Sequence, residues 1–184
     1  MTVGSFTLQT FVGDRPLCTR EADRVGVADG PALQHLAERD LLASDAAPRI
    51  AAGDVALVAW HEDAPVGVFW LCPTAHRDPH FGSASKPSPL GMYGHQLLVD
   101  PAARGLGLGR ELLVAARQYA AEAGQVVHTM VDPTNRPSVI AHERAGYRPA
   151  HLVRGIRFGP LTIRRPQPAL VLPRGRLSTA IGGH

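Results

Sequence analysis

Long apolar runs, cysteine, lysine and aromatic residues are all scarce in this sequence. No run approaches the roughly 18–20 apolar residues that a membrane-spanning helix needs. No charged-then-apolar leader opens the chain either, so we expect a soluble protein with no membrane partner. The two cysteines, Cys18 and Cys72, form no Cys-x-x-Cys pair, which favours a cytoplasmic location where thiols stay reduced.

Lysine occurs only once, at Lys86, and the arginines are unevenly distributed. Residues 1–135 carry 10 basic and 15 acidic side chains, whereas residues 136–184 carry nine arginines and a single acid, Glu143. Such asymmetry is typical of proteins with an anionic partner. The arginines are spread along the whole segment with few aromatic residues between them, so no RNA-recognition or zinc-finger pattern is present. We therefore expect no nucleic-acid partner.

Overall composition is that of an ordinary globular protein. The 184 residues are 45% hydrophobic and 19% charged, which excludes a disordered or collagen-like chain. The length fits one compact domain. We expect a single domain over residues 1–184, with a core from about residue 5 to about residue 173 and a flexible tail over residues 174–184.

Hydrophobic periodicity predicts strands and helices that alternate in the second half of the chain. Strands are predicted over residues 6–12, 54–60, 66–71, 92–99, 126–131, 147–153 and 169–172. Helices are predicted from residue 31 to about residue 43, at 50–51 as the end of a shorter helix, and over 109–123 and 137–144. The strands at 54–60 and 66–71 should pair antiparallel, and the polar stretches before residue 30 and over residues 73–91 are predicted as loops.

The most informative segment is a glycine-rich loop between a strand and a helix. Gly105, Gly107 and Gly109 follow the strand at 92–99 and lead into the helix at 109–123. A helix start presents unpaired N–H groups and the positive end of the helix dipole, and glycines let the backbone approach a phosphate closely. The segment therefore predicts an anion cradle.

Two common phosphate-binding motifs fit this loop poorly. A Walker A loop needs Lys and then Ser or Thr after its last glycine, but Gly109 is followed by Arg110 and Glu111. A dinucleotide fingerprint would place a third glycine where Arg110 stands, and it would follow the strand directly. Asp132 stands at the end of the next strand, where dinucleotide-binding proteins have an acid that binds the ribose. Dinucleotide binding therefore stays open as an alternative.

Two motifs resemble those of the GCN5-related N-acetyltransferase (GNAT) superfamily. Arg104-x-x-Gly107-x-Gly109 is similar to motif A of that family, and the preceding Leu97, Val99 and Pro101 resemble its fourth strand. Residues 135–147, which begin Asn-x-x-Ser and continue through His-Glu-Arg to Gly-Tyr, resemble motif B. Within motif B, residues 137–147 are similar to phosphinothricin-type acetyltransferases. The two motifs have the family's order and spacing, and the resemblance covers roughly residues 54–155.

The resemblance implies the GNAT fold and a co-substrate. The fold is α/β, with a central mixed, mostly antiparallel sheet flanked by helices and splayed between its fourth and fifth strands, here 92–99 and 126–131. Acetyl-CoA would lie with its thioester in that gap, and no metal is implied. The residues that the resemblance assigns to acetyl-CoA binding are Leu98, Val99, Arg104, Gly105, Leu106, Gly107, Leu108, Gly109, Arg110, Asn135 and Ser138.

Acetyl transfer to an amine needs a base for the ammonium proton and an acid for the departing thiolate. The strand at 92–99 has no carboxylate. Tyr93 and His95 are two residues apart, so they lie on the same face of the strand. They occupy the positions where aralkylamine acetyltransferases carry two histidines. We predict His95 as the base. His142 stands where the family usually has a tyrosine acid, and an imidazolium could protonate a thiolate. Packing roles for His95 and His142 are the alternatives.

The function that follows from the resemblance is N-acetylation of a small-molecule primary amine, such as an amino acid or an antibiotic, by direct attack in a ternary complex. The alternatives are a protein N-terminal or lysine acetyltransferase and, from another class, a non-catalytic acyl-CoA-binding module. The arginine-rich end falls in the half of the fold that shapes the acceptor side and often a dimer contact in the family. We interpret it as a surface for an anionic substrate or for a homodimer.

Overall fold

A computed structural model of the chain describes residues 3–14, 24–42, 46–74, 76–78, 83–85, 91–158 and 161–168. Its strands are β1 (Val3–Gly13), β2 (Val25–Val27), β3 (Val55–His61), β4 (Ala64–Cys72), β5 (His76–Asp78), β6 (Ser83–Ser85), β7 (Gly91–Val99), β8 (Val126–Val131), β9 (Arg148–Phe158) and β10 (Leu161–Pro168). Its helices are α1 (Gly30–Glu38), α2 (Ala47–Ala51), α3 (Leu108–Glu122) and α4 (Arg136–Arg144), with a 3-10 turn at Pro101–Ala103.

Eight of the described strands form one sheet in the order β10-β9-β1-β8-β7-β4-β3-β2. All neighbours in this sheet are antiparallel except β7 and β8, which run parallel. A parallel pair needs a crossover connection, and α3 supplies it here. The α/β architecture with a mixed, mostly antiparallel sheet flanked by helices is therefore confirmed.

The described residues form one hydrophobic cluster on each face of the sheet. On one face, Leu112 and Leu113 of α3 are fully buried against residues of the central strands, Phe69 among them. On the other face, Leu36 of α1 packs with Trp70 of β4. Apolar residues of α3 recur three and four positions apart, so one stripe of the helix faces the sheet. Each fully buried leucine contributes about 2 kcal/mol of transfer free energy.

Helix α1 ends earlier than its hydrophobic pattern predicts. The prediction extends it to about residue 43, but the helix ends at Glu38 and Asp40 adopts a left-handed conformation with φ of 55°. The N–H of Leu41 then donates to the carbonyl of Leu36 at 2.9 Å, a bond that closes helix ends of this kind. Leu41 is still buried, so the apolar spacing continues after the helix has stopped.

Several elements were not predicted from the sequence. Strand β2 lies in a stretch assigned to a loop, and β5 and β6 form a separate antiparallel pair inside the segment 73–91. Strand β10 was also missed. The strand predicted at 169–172 and the tail at 174–184 lie outside the described residues. Within the part of the chain that is described, no helix is both long and apolar enough to cross a membrane.

Candidate functional site

A gap opens in the sheet where β7 and β8 stop pairing. Residues 91–94 of β7 pair with residues 126–129 of β8, and the register ends at Gly94 and Thr129. Farther along, β7 continues beside β4, whereas Met130 and Val131 of β8 continue beside β1. The polar backbone edge of β7 beyond Gly94 is therefore not paired with β8. The expected splay between these two strands is confirmed.

A β-bulge turns β7 at the start of the gap. The register between β4 and β7 shifts between Val68 and Trp70, and Gln96 has a left-handed φ of 53°. A non-glycine residue seldom adopts this conformation, and bulges bend the strand that carries them. The Nη1 group of Arg49 donates to Oε1 of Gln96 at 2.6 Å, while the same guanidinium lies 4.8 Å from the centre of the Trp70 ring. These contacts hold the bulge from the α2 side.

Gly94 marks the last paired position before the gap, and its lack of a side chain matters. A Cβ atom at this position would lie 3.0 Å from both Cε1 of Phe69 and Cγ2 of Thr129, and closer still to Cζ of Phe69. Both neighbours are buried. Since neither can move without disturbing the core, the position requires glycine.

A cavity of about 180 Å³ occupies the gap. Its walls come from His95, Gln96 and Leu97 of β7, from residues 129–132 at the end of β8, and from α4 and its N-cap. Phe69 and Gly94 also contribute to the wall. The cavity therefore lies where two diverging parallel strands and a helix start meet.

The segment that leaves β7 is fixed before it reaches the glycines. The carboxylate of Asp100 accepts the N–H of Ala102 at 2.8 Å and forms an ion pair with Arg39 at the end of α1. The N–H of Asp100 donates to the carbonyl of Val66 at 2.8 Å. Asp100 is 6% exposed, so this buried carboxylate anchors the start of the loop to α1 and β4.

The glycine loop forms the N-terminus of α3. Gly105 and Gly107 have φ values of 83° and 82°, in the left-handed region that favours glycine, and Gly107 is the N-cap of the helix. No atom lies within 4 Å of a Cβ built on either glycine. Among the described residues, the N–H groups of residues 105–109 donate to no backbone oxygen. The loop therefore presents free N–H groups and the positive end of a helix dipole on an open side.

Two arginines flank the glycine loop. The Nε group of Arg104 donates to the carbonyl of Val99 at 3.3 Å, and the Nε group of Arg110 donates to the carbonyl of Arg144 at 3.2 Å. Both side chains are exposed. Their positive charge near the loop favours binding of a phosphate group, and the residues present fit the pyrophosphate of a coenzyme.

The start of α4 contributes the far wall of the cavity. Asn135 is the N-cap, and its Oδ1 accepts the N–H of Ser138 at 3.3 Å. Both residues line the cavity. Leu98 and Val99 continue β7 beyond the cavity, where their strand is paired with β4 and not with β8. This stretch of β7 therefore leads from the cavity to the glycine loop.

His142 is a buried, neutral imidazole. Its ring packs against Phe11 at 5.1 Å and Tyr147 at 5.3 Å between centroids, and only 2% of the residue is exposed. Burial lowers its pKa to about 4. Because its Nδ1 lies 2.8 Å from the carbonyl of Ser138, Nδ1 carries the proton. Nε2 is then a bare acceptor at neutral pH, with no partner among the described residues.

His95 and Tyr93 stack on each other. Their ring centroids are 5.9 Å apart with an interplanar angle of 14°, and both side chains are buried. His95 lines the cavity, whereas Tyr93 is not part of the described cavity wall. The structure thus brings His95, His142, Asn135 and Ser138 around one cavity.

Other polar residues at the cavity were not singled out from the sequence. Thr129 lines the wall, and its buried Oγ1 has no hydrogen-bond partner among the described residues. Its β-branched strand reads as core, so only the sheet register shows that it faces the gap. Nothing in the sequence around Gln96 indicates that this residue forms a bulge.

Glu62 and Asp63 are not part of the described cavity wall. They occupy the exposed turn between β3 and β4, with positive φ values of 49° and 62°.

Comparison with known proteins identifies the same architecture. The model of the acetyltransferase (GNAT) family matches residues 27–147. A GNAT-family structure from Novosphingobium aromaticivorans has a TM-score of 0.63 at 14% identity, covering 82% of this chain and 63% of that one. An acetyltransferase from Colwellia psychrerythraea has a TM-score of 0.62 at 14% identity, covering 85% and 56%.

A third solved structure is a ribosomal-protein-alanine N-acetyltransferase from Brucella melitensis. It has a TM-score of 0.50 at 22% identity and covers 67% of this chain and 83% of its own. At these identities the likeness shows the fold alone. The chain spans 63% and 56% of the lengths of the first two structures. No curated protein matches the sequence.

Proposed function

Because the chain belongs to the GNAT family of acetyltransferases, we propose that it transfers an acetyl group from acetyl-CoA to the primary amine of a small molecule. One observation carries this proposal: the gap between β7 and β8 holds a cavity, and the strand that borders it leads into a glycine loop whose N–H groups donate to no backbone oxygen of the described residues. A coenzyme with a pyrophosphate at one end and a thioester at the other fits such an arrangement.

The residues for the co-substrate follow the path of β7. The unpaired edge of β7 at Leu98 and Val99 offers backbone hydrogen bonds to the pantetheine arm, since a lone strand edge binds extended amides. The N–H groups of residues 105–109, with the charges of Arg104 and Arg110, hold the pyrophosphate. Asn135 and Ser138 at the start of α4 face the arm from the opposite wall.

Acetyl-CoA supplies an activated thioester, so that the amine nitrogen forms a bond to the acetyl carbon as the carbon–sulfur bond breaks. The base takes a proton from the amine as the carbon–nitrogen bond forms, and the departing thiolate receives a proton from that protonated base or from solvent. His95 lines the cavity and is our proposed base. Tyr93 stacks on its ring and is the proposed positioning residue for it.

His142 does not have the properties of a general acid at neutral pH. An imidazole with a pKa of about 4 is neutral at pH 7, and its proton is held by the carbonyl of Ser138. His142 lines the cavity, and its buried Nε2 is a hydrogen-bond acceptor with no partner among the described residues. We therefore propose that His142 accepts a hydrogen bond from an amide N–H group of the pantetheine arm and orients it.

A thiol-release assay with acetyl-CoA and a panel of acceptors tests this function. We expect turnover with at least one small primary amine and none with peptides that offer only an amino terminus or a lysine. His95→Gln should lower kcat by at least about 100-fold if His95 removes the proton. The control is His61→Gln, at the half-buried end of β3, which should keep wild-type turnover.

Each of the other outcomes excludes one part of the proposal. Turnover with peptides alone would indicate a protein acetyltransferase. Binding of acetyl-CoA without turnover of any amine would indicate a non-catalytic acyl-CoA-binding module. Full turnover in His95→Gln at every pH would show that His95 is not the base.

A further inference from the structure

Arg24, at the start of β2, binds the glycine loop from outside the motifs that identify the site. Its Nη2 group donates to the carbonyl of Leu106 at 3.1 Å. Its Nε group donates to Oε2 of Glu111 at 3.1 Å, and Nη2 also forms an ion pair with Oε1 of the same carboxylate. The carbonyl of Arg24 accepts the N–H of Trp60 at 2.8 Å. One side chain thus ties the β3 side of the sheet to the loop and to the first turn of α3.

The contact with Leu106 fixes the direction of a peptide group in the loop. The carbonyl of Leu106 and the N–H of Gly107 belong to the same planar trans peptide, so they point in opposite directions. When Arg24 holds the carbonyl on one side, the N–H of Gly107 is directed to the other. Left-handed residues lie on both sides of Leu106, at 105 and 107, and glycine peptides rotate easily. The guanidinium therefore selects one orientation of a group that could otherwise flip.

The contact with Glu111 neutralises a charge at an unfavourable place for an anion site. Glu111 lies in the first turn of α3, where a carboxylate favours the helix dipole but repels a bound phosphate. Its oxygen and the carbonyl of Leu106 share the same nitrogen of Arg24, so the carboxylate lies beside the loop. Without Arg24, an uncompensated negative charge would remain beside the loop and weaken its attraction for the pyrophosphate through the field.

We propose that Arg24 is a positioning residue for the pyrophosphate, acting by orienting the peptide between Leu106 and Gly107 and by neutralising Glu111. This inference rests on the proposed function, because it assumes that the loop binds a coenzyme pyrophosphate. Arg24 need not touch the ligand. It affects binding indirectly, by fixing the conformation of the loop and by neutralising the charge of Glu111.

The test compares binding of acetyl-CoA by calorimetry in Arg24→Ala, Glu111→Gln and the double variant. We expect the dissociation constant to rise about tenfold in Arg24→Ala, because both the orientation and the compensating charge are lost. Glu111→Gln should stay within about threefold of wild type, because it removes the repelling charge together with the pair. The double variant should recover part of the affinity lost in Arg24→Ala.

Arg148→Ala is a matched control for the ion pair. Arg148 binds Asp14 through Nε and Nη2, as Arg24 binds Glu111, and its side chain is 43% exposed against 38% for Arg24. It lies on β9, which β1 and β8 separate from β7 in the sheet. This variant should keep the wild-type affinity for acetyl-CoA. With active enzyme, Arg24→Ala should raise KM for acetyl-CoA while kcat at saturation stays within about twofold of wild type.

Three results would overturn the role of Arg24: wild-type affinity in Arg24→Ala, equal weakening in Arg24→Ala and Glu111→Gln, or equal weakening in Arg148→Ala. Each of these requires that the wild-type protein binds acetyl-CoA. If the wild type does not bind it, the proposed function fails, which is a separate outcome.

Discussion

The Nδ1 atom of His142 donates its proton to the backbone carbonyl of Ser138, one turn earlier in α4. This bond leaves the buried Nε2, on the other side of the ring, without a proton. Phe11 and Tyr147 enclose the ring, and this burial opposes a second proton on it. The residue in motif B that the sequence suggests as an acid is therefore held as an acceptor.

The buried imidazole predicts a pH dependence of stability. The pKa of His142 is lowered to about 4 in the folded protein, whereas the unfolded chain has an ordinary value of about 6.5. Below pH 6.5 the unfolded state gains a proton that the folded state does not bind, so stability is lost as the pH falls. The free energy of unfolding should fall by up to about 3 kcal/mol between pH 7.5 and 4 from this residue.

Urea unfolding of wild type and His142→Phe across this pH range measures the effect. Phenylalanine keeps the ring contacts but cannot titrate. The difference in stability between the two proteins should therefore shift in favour of the variant as the pH falls. A difference that stays constant from pH 7.5 to 4 would show that His142 is not a buried neutral group.

Gly94→Ala should disturb the floor of the cavity. The added methyl group would meet Phe69 and Thr129 in the core, and overpacking of this kind costs about 1–3 kcal/mol. Gly26→Ala in β2 is the control, because nothing lies within 4 Å of its Cβ position. Thermal unfolding should show a lower midpoint for Gly94→Ala only. Equal midpoints in the two variants would mean that the strands at the gap are not packed as described.

Gly107→Ala should weaken the loop in two ways. Alanine at a φ of 82° costs about 1–2 kcal/mol, and its methyl group would occupy the open side of the loop. We expect a lower unfolding midpoint together with weaker binding of acetyl-CoA. Gly30→Ala is the control, since its Cβ position is also open but its φ is not positive. Wild-type affinity in Gly107→Ala would place the pyrophosphate elsewhere.

Asn135 has a structural and a proposed binding role that substitutions can separate. Asn135→Ala removes the N-cap of α4 and should cost about 1 kcal/mol of stability, whereas Asn135→Ser keeps a capping oxygen. Both variants lose the amide that lines the cavity. We expect urea unfolding to distinguish them and acetyl-CoA affinity to fall in both. If Asn135→Ser binds acetyl-CoA like the wild type, the amide has only the capping role.

Elements with strong periodicity could be predicted from the sequence to within a residue. Helix α3 was predicted at 109–123 and lies at Leu108–Glu122, and β8 was predicted with the bounds that it has. The end of α1 was wrong because an aspartate, Asp40, takes the left-handed position that a glycine usually marks. Strand β2 has three residues at the edge of the sheet, too few for an alternating pattern to show.

The parts of the candidate site that lie in a sequence motif could be predicted. The parts that depend on the pairing register between strands could not. The glycines at 105 and 107 lie in a loop between β7 and α3, as the motif predicts, and the structure adds that both have left-handed φ values. By contrast, nothing in the sequence indicates that Gln96 forms a bulge or that Thr129 ends the pairing of β7 with β8. These features depend on which strands are neighbours, and the hydrophobic pattern of each strand alone does not carry that information.

Titration of the wild-type protein with acetyl-CoA, and separately with NAD, tests most directly whether the gap and the glycine loop hold an acetyl-CoA molecule. We predict that one molecule of acetyl-CoA binds per chain and that NAD binds far more weakly. No binding of acetyl-CoA, or preferred binding of NAD, would contradict the proposed site.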